Sequence, residues 1–220
     1  MDKPAQEELL FSYSEERIQV GDFAFILCMI RDLDEALDHY VKVSPSETDR
    51  IPYFTRLWES AEALANFIVE RRSLFAGKRV LELGCGLGLP ALCAARSGAC
   101  VTASDFHPDN QAFFLRNARL NGLEQIHYQR MDWREPELQG PFDILLGSDL
   151  IYEKQMVSPL VNCVKRYLLP GGTFFYADPG RSALQDFTSE LEQAGLIWEL
   201  LPRHNIYLQV WNAIRPESKN

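Results

Sequence analysis

The 220-residue sequence contains no run approaching the roughly 18 apolar residues that a membrane span requires. It has no CxxC pair, and its five cysteines, Cys28, Cys85, Cys93, Cys100 and Cys163, are odd in number. Both facts argue against a disulfide framework and a zinc site, and all five are read as reduced core residues. The four histidines, His39, His107, His127 and His204, never fall at ligand spacing, so no metal is expected. Positive charge is scarce: 22 Lys and Arg against 31 Asp and Glu leave a net charge of −9. Such a chain repels phosphate backbones, which makes nucleic acid a poor candidate partner. The opening MDKPAQEELL is polar and acidic, unlike the basic and then apolar start of a signal peptide. These absences lead us to expect a cytoplasmic protein with no membrane contact. Low-complexity segments and internal repeats are also missing. What remains, 46% hydrophobic and 24% charged, is an ordinary globular balance. The length suits one domain with an appendage better than two full domains.

Residues 1–57 read as that appendage, expected to cover the acceptor side of the domain that follows. RIQVGDFAFILCMI (17–30) has the apolar, β-branched character of strand, with a hairpin turn at Gly21-Asp22. Residues 31–42 suit a short helix, and the turn-rich SPSETDRIP (44–52) a loop. Over 58–220 strands and helices alternate. Residues 58–72 place Ala61, Leu64, Ala65 and Ile68 at helical spacing. Further helices are expected over 89–98, 108–122, 156–168 and 181–195, with strands over 79–84, 100–105, 126–132, 142–149 and 173–178. Pro170-Gly171-Gly172 should stop the helix over 156–168. Such alternation implies a mostly parallel sheet with helices on both faces. The last two strands, 196–202 and 206–214, are joined by only three residues, too few for a parallel crossover, so they form an antiparallel hairpin.

The strongest local signal is VLELGCGLGLP (80–90), which leaves a strand and opens a helix. Gly84, Gly86 and Gly88 permit a tight turn and close approach of a ligand to the backbone. Downstream strand ends carry matching groups. Asp105 stands where a ribose hydroxyl pair can be accepted, and Asp132-Trp133 suit an adenine edge and face. LLPGGTFF (168–175) is expected to join the same crevice. Two ligands compete, a nicotinamide dinucleotide and S-adenosylmethionine. The dinucleotide spacing G-x-G-x-x-G fails, because Leu89 stands at its third glycine.

ELGCGLG instead resembles the cofactor loop of seven-strand S-adenosylmethionine-dependent methyltransferases, and the likeness spans roughly residues 58–214. It implies a Rossmann-like α/β fold with a seven-stranded, mostly parallel sheet and a C-terminal antiparallel hairpin. It also implies S-adenosyl-L-methionine as cofactor and S-adenosyl-L-homocysteine as product. By the same resemblance Glu82, Gly84, Cys85, Gly86 and Gly88 line the methionine end. Asp105 takes the ribose, Asp132 and Trp133 take the adenine, and Trp58, Phe106 and Ser148 join the cofactor site.

One further stretch, GSDLIYE (147–153), follows a buried-looking strand. Asp149-Leu150-Ile151-Tyr152 resembles the D-x-x-Y motif of the family-16 protein-lysine methyltransferases. RIPYFTRLWESAEAL (50–64), with Trp58, looks like the segment preceding that family's first sheet strand. ADPGR (177–181) resembles the GDPGR stretch of its branch acting on the electron-transfer flavoprotein β subunit. The resemblance implies methylation of a protein lysine, with Asp149 as an orienting and electrostatic group rather than a strong base. Tyr152 would hold the acceptor or pack the cofactor pocket. Plain structural roles stay open: Asp149 as a turn or capping residue, Tyr152 and Trp133 as packing, Trp58 as a helix anchor, Asp178 and Arg181 as a salt-bridged loop. A small-molecule amine as acceptor and a non-catalytic binding module are the rival functions.

Overall fold

The computed structural model describes residues 11–43, 52–203 and 205–214. The chain opens with β1 (Tyr13–Val20) and β2 (Phe23–Ile30), an antiparallel hairpin turning at Gly21-Asp22 as expected. Helix α1 (Leu33–Val43) follows. The loop expected over 44–52 lies outside the described residues except for Pro52, and so does His204. After a single 3-10 turn at Tyr53–Thr55 come α2 (Glu59–Glu70), β3 (Arg79–Leu83) and α3 (Leu89–Arg96). The alternation continues with β4 (Cys100–Asp105), α4 (Asn110–Leu120), β5 (His127–Arg130) and β6 (Phe142–Ser148). It closes with α5 (Val157–Tyr167), β7 (Leu168–Asp178), α6 (Leu184–Gln193), β8 (Leu196–Arg203) and β9 (Ile206–Ala213).

The large sheet has the order β5-β4-β3-β6-β7-β9-β8. Only β9 runs against its neighbours, so the fold is the expected α/β sheet with its C-terminal antiparallel hairpin. Successive side chains of a strand point to opposite faces, and the two cores follow that rule. Val80, Ile144, Leu146, Phe175 and Ala177 pack with α2, α3 and α4. Leu81, Leu83, Leu145, Phe174 and Tyr176 pack with α5 and α6. Both faces are covered, which is why the strands read as nearly continuous apolar runs. From β3 the chain crosses to β4 and β5 on one side and to β6 and β7 on the other. The strand order reverses at β3–β6, and the crevice outside the carboxyl ends of those strands is where such sheets bind ligands.

The N-terminal hairpin shares the larger core: Val20, Phe25 and Leu27 lie in one cluster with Leu64, Ile68 and Leu92. Asn117 of α4 and Asn121, the residue that follows the helix, serve it as a substitute strand. Asn121 accepts from Ile26 N at 2.9 Å and donates to Ile26 O at 2.8 Å, while Asn117 accepts from Cys28 N at 2.6 Å. Asn117 also donates to Leu87 O at 3.0 Å, so one buried side chain ties the hairpin to the glycine loop.

Two expectations need correction. Leu168 pairs with Phe142, at the start of β6, so LLPGG lies at the amino ends of the parallel strands, opposite the crevice. The turn residues 170–172 are the entry of β7, irregularly paired, and Gly172 sits against Asp143 O. Cys100 is exposed rather than core, because it starts β4 at the sheet's rim; the other four cysteines are buried.

Candidate active site

Beyond β3 the chain turns through Gly84, Gly86 and Gly88, all at positive φ, before α3 begins. Space requires glycine at two of them. A Cβ on Gly84 would lie 2.6 Å from Leu150 Cδ2, and one on Gly88 would lie 2.4 Å from Phe114 Cε2. Glu82 is buried beneath the loop and does not line the cleft above it; its Oε2 accepts from Ala91 N at 2.9 Å in the first turn of α3. Asp105, at the end of β4, accepts from Gly86 N at 2.9 Å and from His107 N at 3.0 Å, which fixes the loop against the neighbouring strand.

These elements surround a cleft of about 1060 Å³, counting its open mouth. Gly84, Cys85, Gly86 and Gly88 form one wall. Asp105, Phe106, Asp132 and Trp133, from the ends of β4 and β5, form a second. Ser148, at the end of β6, with Asp149 and Tyr152 beyond it, forms a third, and Trp58 closes the fourth side at the start of α2. Of the site residues expected from sequence, all but Glu82 thus meet in one cleft.

The third wall is strained. Asp149 has φ +58, the only positive φ among the described non-glycine residues. Its N–H donates to Ala177 O at 2.9 Å and its carboxylate pairs with the Arg181 guanidinium. A left-handed conformation costs an ordinary residue roughly 1–2 kcal/mol. Strain of this kind collects at functional sites, where the surrounding structure enforces it. At the mouth Tyr53 stands 5.5 Å from Tyr152 and 6.2 Å from Trp58, ring centre to ring centre. Trp58 Nε1 donates to Tyr53 O at 3.1 Å, which ties these two aromatics together.

Residues 46–194 match the sequence pattern described as lysine methyltransferase. The electron transfer flavoprotein beta subunit lysine methyltransferase of Xenopus laevis is 31% identical over 133 residues, 60% of this chain and 54% of that protein. The calmodulin-lysine N-methyltransferase of Arabidopsis thaliana is 30% identical over 166 residues, 70% of this chain and 54% of that one. The chain belongs to the lysine methyltransferase family. It spans about half the length of the curated relatives it matches. Among solved structures, the Thermus thermophilus 16S rRNA N2 G1207 methyltransferase in complex with AdoMet and guanosine superposes with a TM-score of 0.65. At 18% identity, over 92% of this chain and 51% of that chain, the likeness is one of fold.

The electrostatics of this lysine methyltransferase-family cleft are divided. Burial pushes Asp105 above its ordinary value, and N–H groups of His107, Gly86 and Phe106 pull part of the way back. Burial drives Glu82 and the Cys85 thiol well up. Burial also works upward on Asp132, but the Arg134 guanidinium and backbone N–H outweigh it, so that carboxyl is held low. The cleft therefore offers a reluctant carboxylate at Asp105 and an ion-paired one at Asp132.

The donor set suits an adenosyl ligand carrying a charged amino-acid end. Glycines leave backbone uncovered, carboxylates stand at strand ends, and the buried Trp133 Nε1, beside the loop, has no hydrogen-bond partner among the described residues. Two features escaped the sequence reading. Tyr53 and Phe54 line the cleft from the 3-10 turn, where three residues carry no periodicity to detect. His107, buried between Tyr40 and Phe54, brings α1 to the cleft's edge; in sequence no ligand spacing marks it.

Proposed function

We propose that this protein is an S-adenosylmethionine-dependent N-methyltransferase acting on the side-chain amine of a lysine in another protein. The observation that carries the reading is Asp149: a strained, ion-paired carboxylate on the same cleft as the glycine loop, in a chain of this family. S-adenosylmethionine, when bound, supplies a methyl group activated by its sulfonium sulfur. In this reading Gly84, Cys85, Gly86 and Gly88 cradle the methionine end. Asp105 accepts from the ribose hydroxyls, while Asp132 and Trp133 hold the adenine. Phe106, Ser148 and Trp58 complete the cofactor wall.

Asp149 then lies on the acceptor side. Positive charge grows on the lysine nitrogen during transfer, and a fixed carboxylate nearby stabilises it. A free lysine has a pKa of about 10.4 and must shed its proton before it can attack. Burial in the cleft lowers that value, since desolvation disfavours the charged form. Positioning the amine, through Asp149 and the aromatic mouth, contributes through lost motion rather than new bonds. An open mouth supports a protein acceptor: Tyr53 and Tyr152 are 43% and 49% exposed, and segment 52–58 frames the entrance. The names of the relatives make the electron transfer flavoprotein β subunit and calmodulin the first acceptors to try.

The test is transfer of tritiated methyl from S-adenosylmethionine into a cell extract separated into protein and small-molecule fractions. We expect label in protein, lost with Asp149→Ala while cofactor binding is kept. Label confined to small molecules would overturn the reading and favour a metabolite amine.

A further inference from the structure

The loop after β7 is built to deliver one side chain to Asp149. Asp178, fully buried at the strand's end, accepts the Tyr176 hydroxyl at 2.9 Å and the N–H groups of Gly180 and Arg181 at 2.7 Å each. Gly180 turns the chain at φ +94, where a Cβ would lie 2.9 Å from the Tyr207 ring. With its backbone fixed in this way, Arg181 pairs with Asp149, and its guanidinium lies 6.0 Å from the Trp58 ring centre. The Asp149 side chain is 6% exposed and that of Arg181 32%. The carboxylate on the cleft wall is therefore not a bare charge.

Resting on the function proposed above, we propose that Arg181 sets the charge of the acceptor subsite. It holds the Asp149–Arg181 pair at zero net charge, so the site admits a neutral amine rather than an ammonium. A bare carboxylate there would bind an alkylammonium and hold its proton, and an ammonium has no lone pair for methyl transfer. Arginine suits this task because its guanidinium keeps its proton across the working pH range and its planar fork matches a carboxylate. The bond to Asp149 raises the Arg181 value further. Other charged or titratable groups around the pair are Asp178 and Tyr176 on β7, and Glu153, Tyr152, Arg56 and Tyr53 in the cleft wall. Asp178, held by three neutral donors, keeps the same charge in every variant compared, and Arg56 and Glu153 bring one charge of each sign. Differences among the variants at the acceptor nitrogen thus turn on the Asp149–Arg181 pair.

The test uses the full chain with S-adenosylhomocysteine bound, titrated calorimetrically with butyltrimethylammonium. This probe is a permanent cation with a lysine-like stem that can be neither methylated nor deprotonated. The pair carries net charge 0 in wild type, −1 in Arg181→Gln, +1 in Asp149→Asn and 0 in the double variant. Affinity is expected to rise by at least about tenfold in Arg181→Gln, fall by at least about tenfold in Asp149→Asn, and return to the wild-type value in the double variant, the direction that charges a few ångströms apart near a surface require. Arg181→Lys keeps the charge without the planar fork and should bind the probe as wild type does. No gain in Arg181→Gln, or an equal gain in Arg181→Lys, overturns the proposal; the second result would tie affinity to packing rather than charge. The order of affinities needs no turnover. If wild type methylated no protein, the lysine reading would fall while these affinities still judged Arg181. With an acceptor in hand, Arg181→Gln should also move the rise of kcat/KM to higher pH.

Discussion

The glycine loop offers a graded test of how it is packed. Alanine at Gly88 adds a Cβ 2.4 Å from Phe114 Cε2 and 2.6 Å from Cδ2, in a ring that is fully buried. Overpacking of this kind costs about 1–3 kcal/mol, and the left-handed backbone at φ +82 adds roughly 1 kcal/mol for a residue with a Cβ. The sum, about 3 kcal/mol, lowers the Tm of a chain of this size by about 6–12 °C. At Gly84 the nearest atom is Leu150 Cδ2 at 2.6 Å, the far end of a side chain that can shift, so the loss is smaller. At Gly86 the nearest atom is Phe54 O at 3.5 Å, an ordinary contact. Gly86→Ala therefore carries only the backbone cost of about 1 kcal/mol, or about 2–4 °C. Thermal unfolding of the three variants by calorimetry should rank them Gly88→Ala, Gly84→Ala, Gly86→Ala, most to least destabilised. Equal losses would refute the reasoning, since the loop would then need glycine for backbone freedom alone.

Two further outcomes test the site's support. Glu82 has its pKa raised by burial, so the stability of its protonated form is complete below the ordinary value of 4.5 and is lost as pH climbs through the raised value. Glu82→Gln keeps an acceptor for Ala91 N–H without the charge, so its Tm should gain on wild type as pH rises above 4.5; parallel curves would contradict the assignment. Asn117→Ala leaves the buried Cys28 N–H and Leu87 carbonyl without their partner, a loss of about 3 kcal/mol. Hydrogen exchange should show the Cys28 amide losing protection in that variant, and an unchanged rate would mean the hairpin is held by apolar packing alone.

Much of this fold was legible because its strands are buried on both faces and its helices alternate with them. The strand 100–105 agrees to the residue, and helix ends differ by up to three residues, where capping rather than periodicity decides. The short join between β8 and β9 dictated their antiparallel pairing. LLPGG misled because Pro-Gly-Gly signals a turn in any context, while its position at the amino ends of the strands depends on register with β6. In the site, residues at strand ends were readable: Asp105, Asp132 and Asp149 each stand at the end of a strand expected from sequence. Tyr53 and Phe54 were not, since a 3-10 turn has no period to detect. The hairpin's seat on α4 rests on Asn117 and Asn121, which in sequence are two polar residues of a helix with no sign of a partner about 90 positions away. The sequence suggests a salt-bridged loop of Asp178 and Arg181, but the Arg181 guanidinium pairs with Asp149, while Asp178 accepts the Arg181 backbone N–H and builds the turn.

The most direct test of the central claim is the identity of the residue that receives the methyl group. Protein labelled from tritiated S-adenosylmethionine in the presence of this chain would be hydrolysed completely and its amino acids separated. Radioactivity in methylated lysine, absent when Asp149→Ala replaces wild type, is the expected result. Radioactivity in methylated arginine or histidine, with none in lysine, would contradict the account.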